Sequence, residues 1–494
     1  MIPLRLPSAA ALLFALIGLP SLRADHIQSL QKPENVLGQV QFNAGAVGNP
    51  ATASNLYFPG AVAVDPTTGK VFIADTYNNR VLRFASAAAL VTGSAAEALL
   101  GQPDFTSSGH ATTQKELYHP SGLAFDPTGR LWVADTANHR VLRFDNASAK
   151  AQFSANADGV LGEPNFSTAA APDPPTAASM NQPAGLAVDA GGTLWVADSA
   201  NNRLLRFDNA AAKAAGANAD GVLGAPTFVV NTGFQTTRYT VARPLGLALD
   251  ANGTLWVADT FNDRVLRFDD ANNKPNGALV DGFLGQAAYD ANVPTSPPTA
   301  RTMNLPSSVA LDANGALWVA DSGNNRVLRF DDAATLTDDA AADAVLGQKS
   351  FLENFSALTR AGMNHPAGLA FSLGGDLFVV DASNNRATRF TPTADPVAPT
   401  PAPAVEIAPT LTLTGKRELA TTAAKIALKG AATSASGIAR VEYRVGKGPF
   451  RTATGTTAWH FKATLKPGKT TITIRAVSTA NLTSAPLVVR VTRN

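Results

Sequence analysis

The segment LWVADTANHRVLRF, Leu131–Phe144, decides how this chain is read. Apolar and β-branched residues run up to an Asp, four turn-forming residues follow, and a second apolar run begins at an Arg. That pattern gives two strands joined by a tight turn. Close variants occur six times, aligned on Asp75, Asp135, Asp198, Asp259, Asp321 and Asp381 at intervals of 60 to 63 residues. A period of this size marks an array of supersecondary units, none of which can bury its own faces alone.

Each unit opens with a Pro and a short apolar run, as in PSGLAFD from Pro120, and a turn such as PTG or ANG precedes the quoted hairpin. A fourth strand is expected in VLGEPNF, Val160–Phe166, and its counterparts. Four strands per unit, six times over, predict an all-β six-bladed β-propeller. The sixth unit ends at Phe390 without a fourth strand, whereas VLGQVQF, Val36–Phe42, stands alone ahead of the first. The N-terminal strand is therefore expected to pair with Arg386–Phe390, closing the ring and removing its open edges.

Within the hairpin, Asp135 is expected to accept hydrogen bonds from backbone N–H groups of the turn it starts, Asn138 to take the left-handed conformation, and Arg140 to return and neutralise the Asp. The same trio stands at Asp75/Asn78/Arg80, Asp198/Asn201/Arg203, Asp259/Asn262/Arg264, Asp321/Asn324/Arg326 and Asp381/Asn384/Arg386. A catalytic site is normally single, so sixfold repetition makes these residues structural staples. His139 reads as a tolerated turn residue in a slot held elsewhere by Asn79, Asn202, Asp263, Asn325 and Asn385. Trp132, Trp195, Trp256 and Trp318, with Phe72 and Phe378, read as packing between blades.

The recurring pattern, Pro-x-Gly-apolar-Ala-apolar-Asp followed by apolar-Val-Ala-Asp-Ser/Thr-x-Asn-x-Arg, resembles the NHL repeat over residues 36–390. The resemblance implies a six-bladed NHL propeller with unusually long units and an added LGQ in the fourth strand. Related six-bladed propellers include metal-dependent lactonases and hydrolases, which hold a cation with carboxylates and Asn on the inner strands. They also include peptide-amidating lyases, with zinc-binding His just after the opening Pro. Here those slots hold Gly60, Ser121, Ala184, Leu245, Ser307 and Ala367, and the inner strands carry no charge, so both likenesses stop at architecture. No catalytic residue, metal ligand or cofactor is assigned.

Function should then sit where the blades differ, in the divergent loops between each fourth strand and the next blade. The residue before each opening Pro runs Phe58, His119, Gln182, Arg243, Leu305 and His365. His119, Arg243 and His365 occupy alternate blades, and with Gln182 they are the candidate ligand-binding residues. If the two His and the Arg converge at the channel mouth, they suit an anion, or a metal through the His pair.

The chain has 494 residues and no Cys, which excludes disulfides and thiolate metal sites. Residues 1–24 read as a cleaved secretory signal, with Arg5, an apolar Ala9–Leu19 and a small residue at Ala24. No later stretch is apolar enough for a transmembrane helix, so the protein is expected in the periplasm, at the cell surface or in the medium. Residues 25–390 form the propeller, 391–408 a Pro/Ala-rich linker, and 409–494 a small antiparallel sandwich that resembles bacterial immunoglobulin-like domains. Asp25–Val405 carries 24 Lys+Arg against 35 Asp+Glu, and Glu406–Asn494 14 against 3. The basic C-terminal domain suits an anionic surface polymer, and no specific nucleic-acid motif accompanies it. The expected function is an exported, non-enzymatic recognition or scaffold protein, binding protein or carbohydrate ligands on the propeller's loop face. The alternative is a lyase or hydrolase working at the channel mouth.

Overall fold

The structure is a computed structural model that describes residues 27–393, 408–434, 437–479 and 481–494. The expected signal, residues 1–24, and most of the expected linker lie outside the described residues. The chain divides into two compact units, at Asp395/Pro396.

The first unit contains six four-stranded antiparallel sheets. The second blade is typical: Pro120–Phe125 innermost, then Leu131–Asp135, Arg140–Phe144 and Gly159–Leu161 at the rim. The middle strands, drawn from LWVAD and RVLRF, are buried almost throughout because both faces pack on neighbouring blades. Trp132, Trp195, Trp256, Trp318, Phe72 and Phe378 are at most 2% exposed and lie in clusters that join one blade to the next.

The sixth blade is completed from the N-terminus, Asn35–Leu37 pairing antiparallel with Arg386–Phe390 through Val36 opposite Thr388. This strand is shorter than the expected Val36–Phe42, and the second blade's rim strand likewise ends at Leu161 rather than Phe166. The cause is the glycine that follows the Leu, in LGQ at residues 37–39 and in LGE at 161–163. Gly38 and Gly162 have φ of +81° and +89°, so the chain leaves the sheet there. Where a Gln follows, it caps the turn of its own blade, 23 residues back: Gln102, Gln286 and Gln348 donate to the carbonyls of Asn79, Asp263 and Asn325 at 2.8–3.0 Å. The added LGQ is a rim-strand terminator.

The second unit is a two-sheet sandwich. Thr410–Leu413, Lys425–Thr433 and Ala458–Thr464 make one sheet. Glu418–Thr421, Leu487–Arg493, Gly468–Ser478, Ile438–Val445 and Arg451–Thr452 make the other. Leu428, Trp459 and Phe461 from the first pack against Val441, Ile472, Ile474 and Val489 from the second. The short Glu418–Thr421 strand, parallel to Leu487–Arg493, was not legible as a strand in the sequence.

Candidate functional site: the loop face of the propeller

Each repeated Asp is a hub with no exposure. In the third blade Arg203 Nε donates to Asp198 Oδ2 at 2.6 Å and Asn201 Nδ2 donates to the same oxygen at 2.9 Å. Asp198 Oδ1 accepts from the backbone N–H of Asn181, at 2.6 Å, in the loop that enters the blade. The same three bonds recur on Asp75, Asp135, Asp259, Asp321 and Asp381. The backbone N–H that the Asp binds thus comes from the incoming loop and not from the turn that follows, which contributes its Asn side chain instead; this corrects the sequence reading.

The paired Arg, also fully buried, spends its remaining donors on loop carbonyls. Arg203 Nη2 reaches Thr176 and Ser179 at 2.9 and 2.8 Å, and Nη1 reaches Phe228 in the loop leaving the blade. Arg80, Arg140, Arg264, Arg326 and Arg386 do the same. Burial pushes the carboxyls of these Asp up, while the guanidinium and the donors on both oxygens pull down. With every guanidinium nitrogen hydrogen-bonded, breaking one pair leaves a buried charge alone.

The left-handed residue of the turn is the one after the Asn, a second correction. Asn79, His139, Asn202, Asp263, Asn325 and Asn385 have φ of +52° to +56°. Their side chains accept from the backbone N–H of His119, Gln182, Arg243, Leu305, His365 and Phe58, at 2.7–3.1 Å. Each turn thereby clasps the next blade, and Asn385 to Phe58 closes the circle. His139 is one of these clasps, not merely a tolerated turn residue. Its Nδ1 accepts from Gln182 N–H, which requires the neutral ring, and burial holds its imidazole below 6.5. Asp263 fills the slot in the fourth blade, where burial raises its carboxyl to about 6. A second set of clasps went unnoticed in the sequence, the later Arg of RVLRF. Arg83 donates to the carbonyls of Ala147 and Lys150 of the next blade at 3.1 and 2.9 Å, and Arg329 to Ile27 at 2.6 Å.

The six residues before the opening Pro all adopt φ of +47° to +51°, a conformation that side-chain-bearing residues rarely take. The clasp on each N–H fixes them there, in a ring on the loop face. Their side chains find separate company. Arg243 Nη1 donates to Gln182 Oε1 at 2.9 Å and its guanidinium lies 5.8 Å from the Phe261 ring. His119 stacks on Tyr77 at 5.2 Å and leans on Tyr118 at 4.7 Å, and burial, with the charge of His110, lowers its imidazole below 6.5. His365 Nδ1 lies 3.0 Å from Asn364 Oδ1. Of the four candidate residues the structure joins Gln182 and Arg243; no contact among His119, Arg243 and His365 is found among the described residues.

What the sequence reading missed is an aromatic row. Phe58, Tyr77 and His119 stack face to face at 5.1 and 5.2 Å, and Tyr118 and His110 continue the row with rings 3.9 Å apart. Phe58 and Tyr77 are 39% and 45% exposed. Across the face, exposed Phe261 and Phe234 lie 5.4 Å apart. The signal was present in Tyr77 and Phe261, bulky residues at a turn position filled elsewhere by Ala137, Ala200, Gly323 and Ser383.

Between these rings the central channel encloses about 200 Å³. Its wall is Gly, Ala, Ser, Val and Leu in three tiers, ending in Val62, Leu123, Leu186, Leu247, Val309 and Leu369. Close approach of the innermost strands dictates the small middle tier: a Cβ on Gly185 would sit 1.7 Å from the Leu245 carbonyl oxygen. The hydroxyls of Ser121 and Ser307 are tied to Thr136 and Ser322 at 2.6 Å. Among the described residues no cluster of three His, Asp or Glu is placed to hold a metal, and no helix is long and apolar enough to cross a membrane.

The NHL repeat family model matches residues 56–84, 117–144, 180–207 and 303–330, in the first, second, third and fifth blades. The fourth and sixth carry the same Asp, Asn and Arg hub. Teneurin-3 of Mus musculus is 23% identical over 288 residues, which is 54% of this chain and 10% of that protein, so the chain spans about a tenth of the relative's length. Among solved structures, virginiamycin B lyase from Staphylococcus aureus is 14% identical, with TM-score 0.37 over 68% of this chain and 80% of its own. A gluconolactonase from Xanthomonas campestris is 16% identical, with TM-score 0.39 over 75% and 99%. Four blades of the propeller therefore carry NHL repeats, and the two others share their four-stranded build.

Proposed function

We propose that the chain is an exported, non-enzymatic recognition or scaffold protein whose propeller binds a protein or carbohydrate ligand on its loop face. The observation that carries this reading is the aromatic row Phe58–Tyr77–His119, with Phe58 and Tyr77 exposed and the chain at Phe58 and His119 two residues ahead of the channel wall at Gly60 and Ser121. Flat rings fixed in place offer large contact area at small entropic cost, which suits apolar sugar faces and interface side chains alike. The Gln182–Arg243 pair adds directed donors across the face. Acid–base chemistry at the mouth would have to draw on His119, His365 and Arg243, each engaged with different partners. The immunoglobulin-like character of the sandwich belongs to the same proposal, supported by its two-sheet build.

Glycan and peptide arrays probed with the full chain identify the ligand, and a Phe58→Asn/Tyr77→Ser variant tests the site. Asn keeps the left-handed backbone at position 58. Binding is expected to fall about tenfold or more with an unchanged melting temperature. Undiminished binding would remove the row from the site, and turnover of the bound ligand would replace recognition with a lyase or hydrolase.

A further inference from the structure

We propose that the outer face of the three-stranded sheet in the C-terminal sandwich binds a linear anionic polysaccharide, through Lys425, Lys429 and Lys462. This site is separate from the propeller face and does not rest on the reading above.

Alternation sets up the face. In Lys425–Thr433 and Ala458–Thr464 every second residue is exposed while Leu428, Trp459, Phe461 and Ala463 point into the core. The outward positions are three Lys and His460, with only Ala and Thr between them, and no acidic residue among them. Register places Lys429 opposite His460, Lys462 opposite Ala427 and Lys425 opposite Thr464. Lys425, Lys462 and Lys429 therefore zigzag along the strands, with a positive charge every two residues, about 7 Å.

Like charges set side by side on a sheet destabilise it. On the opposite sheet three of the cations have acidic partners: Arg440 and Arg475 share Glu442 at 2.8 and 2.7 Å, and Arg490 stands 3.7 Å from Glu418. On this face no ion pair to Lys425, Lys429 or Lys462 is found among the described residues. A flat floor of small side chains under a regular cationic ladder fits an extended chain that bears repeated negative charge. It does not fit nucleic acid as well, because the face offers no exposed Phe, Tyr or Trp on which bases could stack. Lysine, a mobile point charge, suits carboxylates or sulfates at variable spacing.

The test uses the full chain with polygalacturonate, dextran sulfate, neutral dextran and oligo-dT as probes, titrated at several salt concentrations. The wild type is expected to bind both anionic polysaccharides, to ignore neutral dextran, and to weaken steeply as salt rises. K425Q/K429Q/K462Q is expected to lose about tenfold or more in affinity, and the triple Lys→Arg variant to keep it. R440Q/R475Q, on the other sheet, should match the wild type. Equal affinity of the wild type and the triple Gln variant would overturn the proposal, as would absence of binding to either polyanion. Tighter binding of oligo-dT than of polygalacturonate at matched charge would overturn it in favour of nucleic acid.

Discussion

Replacing Asp263 by Asn should stabilise the propeller, and only above the acid range. Asp263 is 6% exposed and accepts one hydrogen bond, from Leu305 N–H at 2.7 Å. Burial first, then the negative charges of Asp321 and Asp259, raise its carboxyl from 3.8 to about 6. A folded-state pKa above the unfolded one means that the native state favours the proton. The group's stabilising contribution is complete below 3.8 and is lost as pH rises through about 6. A shift of about two units corresponds to at most about 3 kcal/mol, and relaxation of the surroundings should leave roughly 1–2 kcal/mol. Asn carries no charge yet keeps an Oδ1 acceptor for Leu305, as Asn202 and Asn325 do for Arg243 and His365. Its amide gains a donor as well. Asn79 and Asn325 spend theirs on the carbonyls of Ser108 and Asn354, each 29 residues on, and the matching position here is Asn292. Urea titrations of wild type and Asp263→Asn at pH 4, 5.5 and 7.5 provide the assay. The variant should gain roughly 1–2 kcal/mol at pH 7.5 and little at pH 4. A gain of the same size at both ends, or none at pH 7.5, would refute the reasoning.

The same slot titrates the opposite way in the second blade. His139 must be neutral to accept from Gln182, and its lowered pKa makes its contribution present above 6.5 and lost as pH falls. His139→Asn should therefore resist acid better than wild type in thermal melts below pH 6 and match it at pH 8. Asp198→Ala strands Arg203 without its counter-ion and should cost about 3–5 kcal/mol by chemical denaturation; a loss below about 1 kcal/mol would mean that water reaches the hub. Deleting residues 27–43 removes Asn35–Leu37 and opens an edge on the sixth blade. A sharply lower melting temperature with aggregation is expected, and an unchanged melt would disprove closure by this strand. By NMR the His119 imidazole should titrate below 6.5, and Tyr77→Ser, which uncovers it, should move the midpoint up. An unmoved midpoint would mean that the stack does not bury the ring.

The sequence by itself determined the architecture, because the propeller rests on local, repeated instructions. A 60-to-63-residue period, alternation within strands and one orphan strand at the N-terminus leave a single economical closure. The Trp and Phe of the second strands were legible as inter-blade packing for the same reason: no blade can bury them alone. Partners far apart in the chain were not legible. Asp198 looked like the anchor of its own turn alone, yet it also holds Asn181 in the incoming loop, 17 residues earlier. His139 looked like a neutral substitution until Gln182 N–H, 43 residues on, was seen to point at its ring nitrogen. His119, Arg243 and His365 occupy equivalent slots, but equivalence around a ring does not make side chains meet. Each turned to the nearest aromatic or amide in its own sector. Repetition and burial patterns are written along the chain, whereas the neighbours of an exposed side chain depend on loops that diverge from blade to blade. Only the tertiary structure could bring Phe58, Tyr77 and His119 into one row.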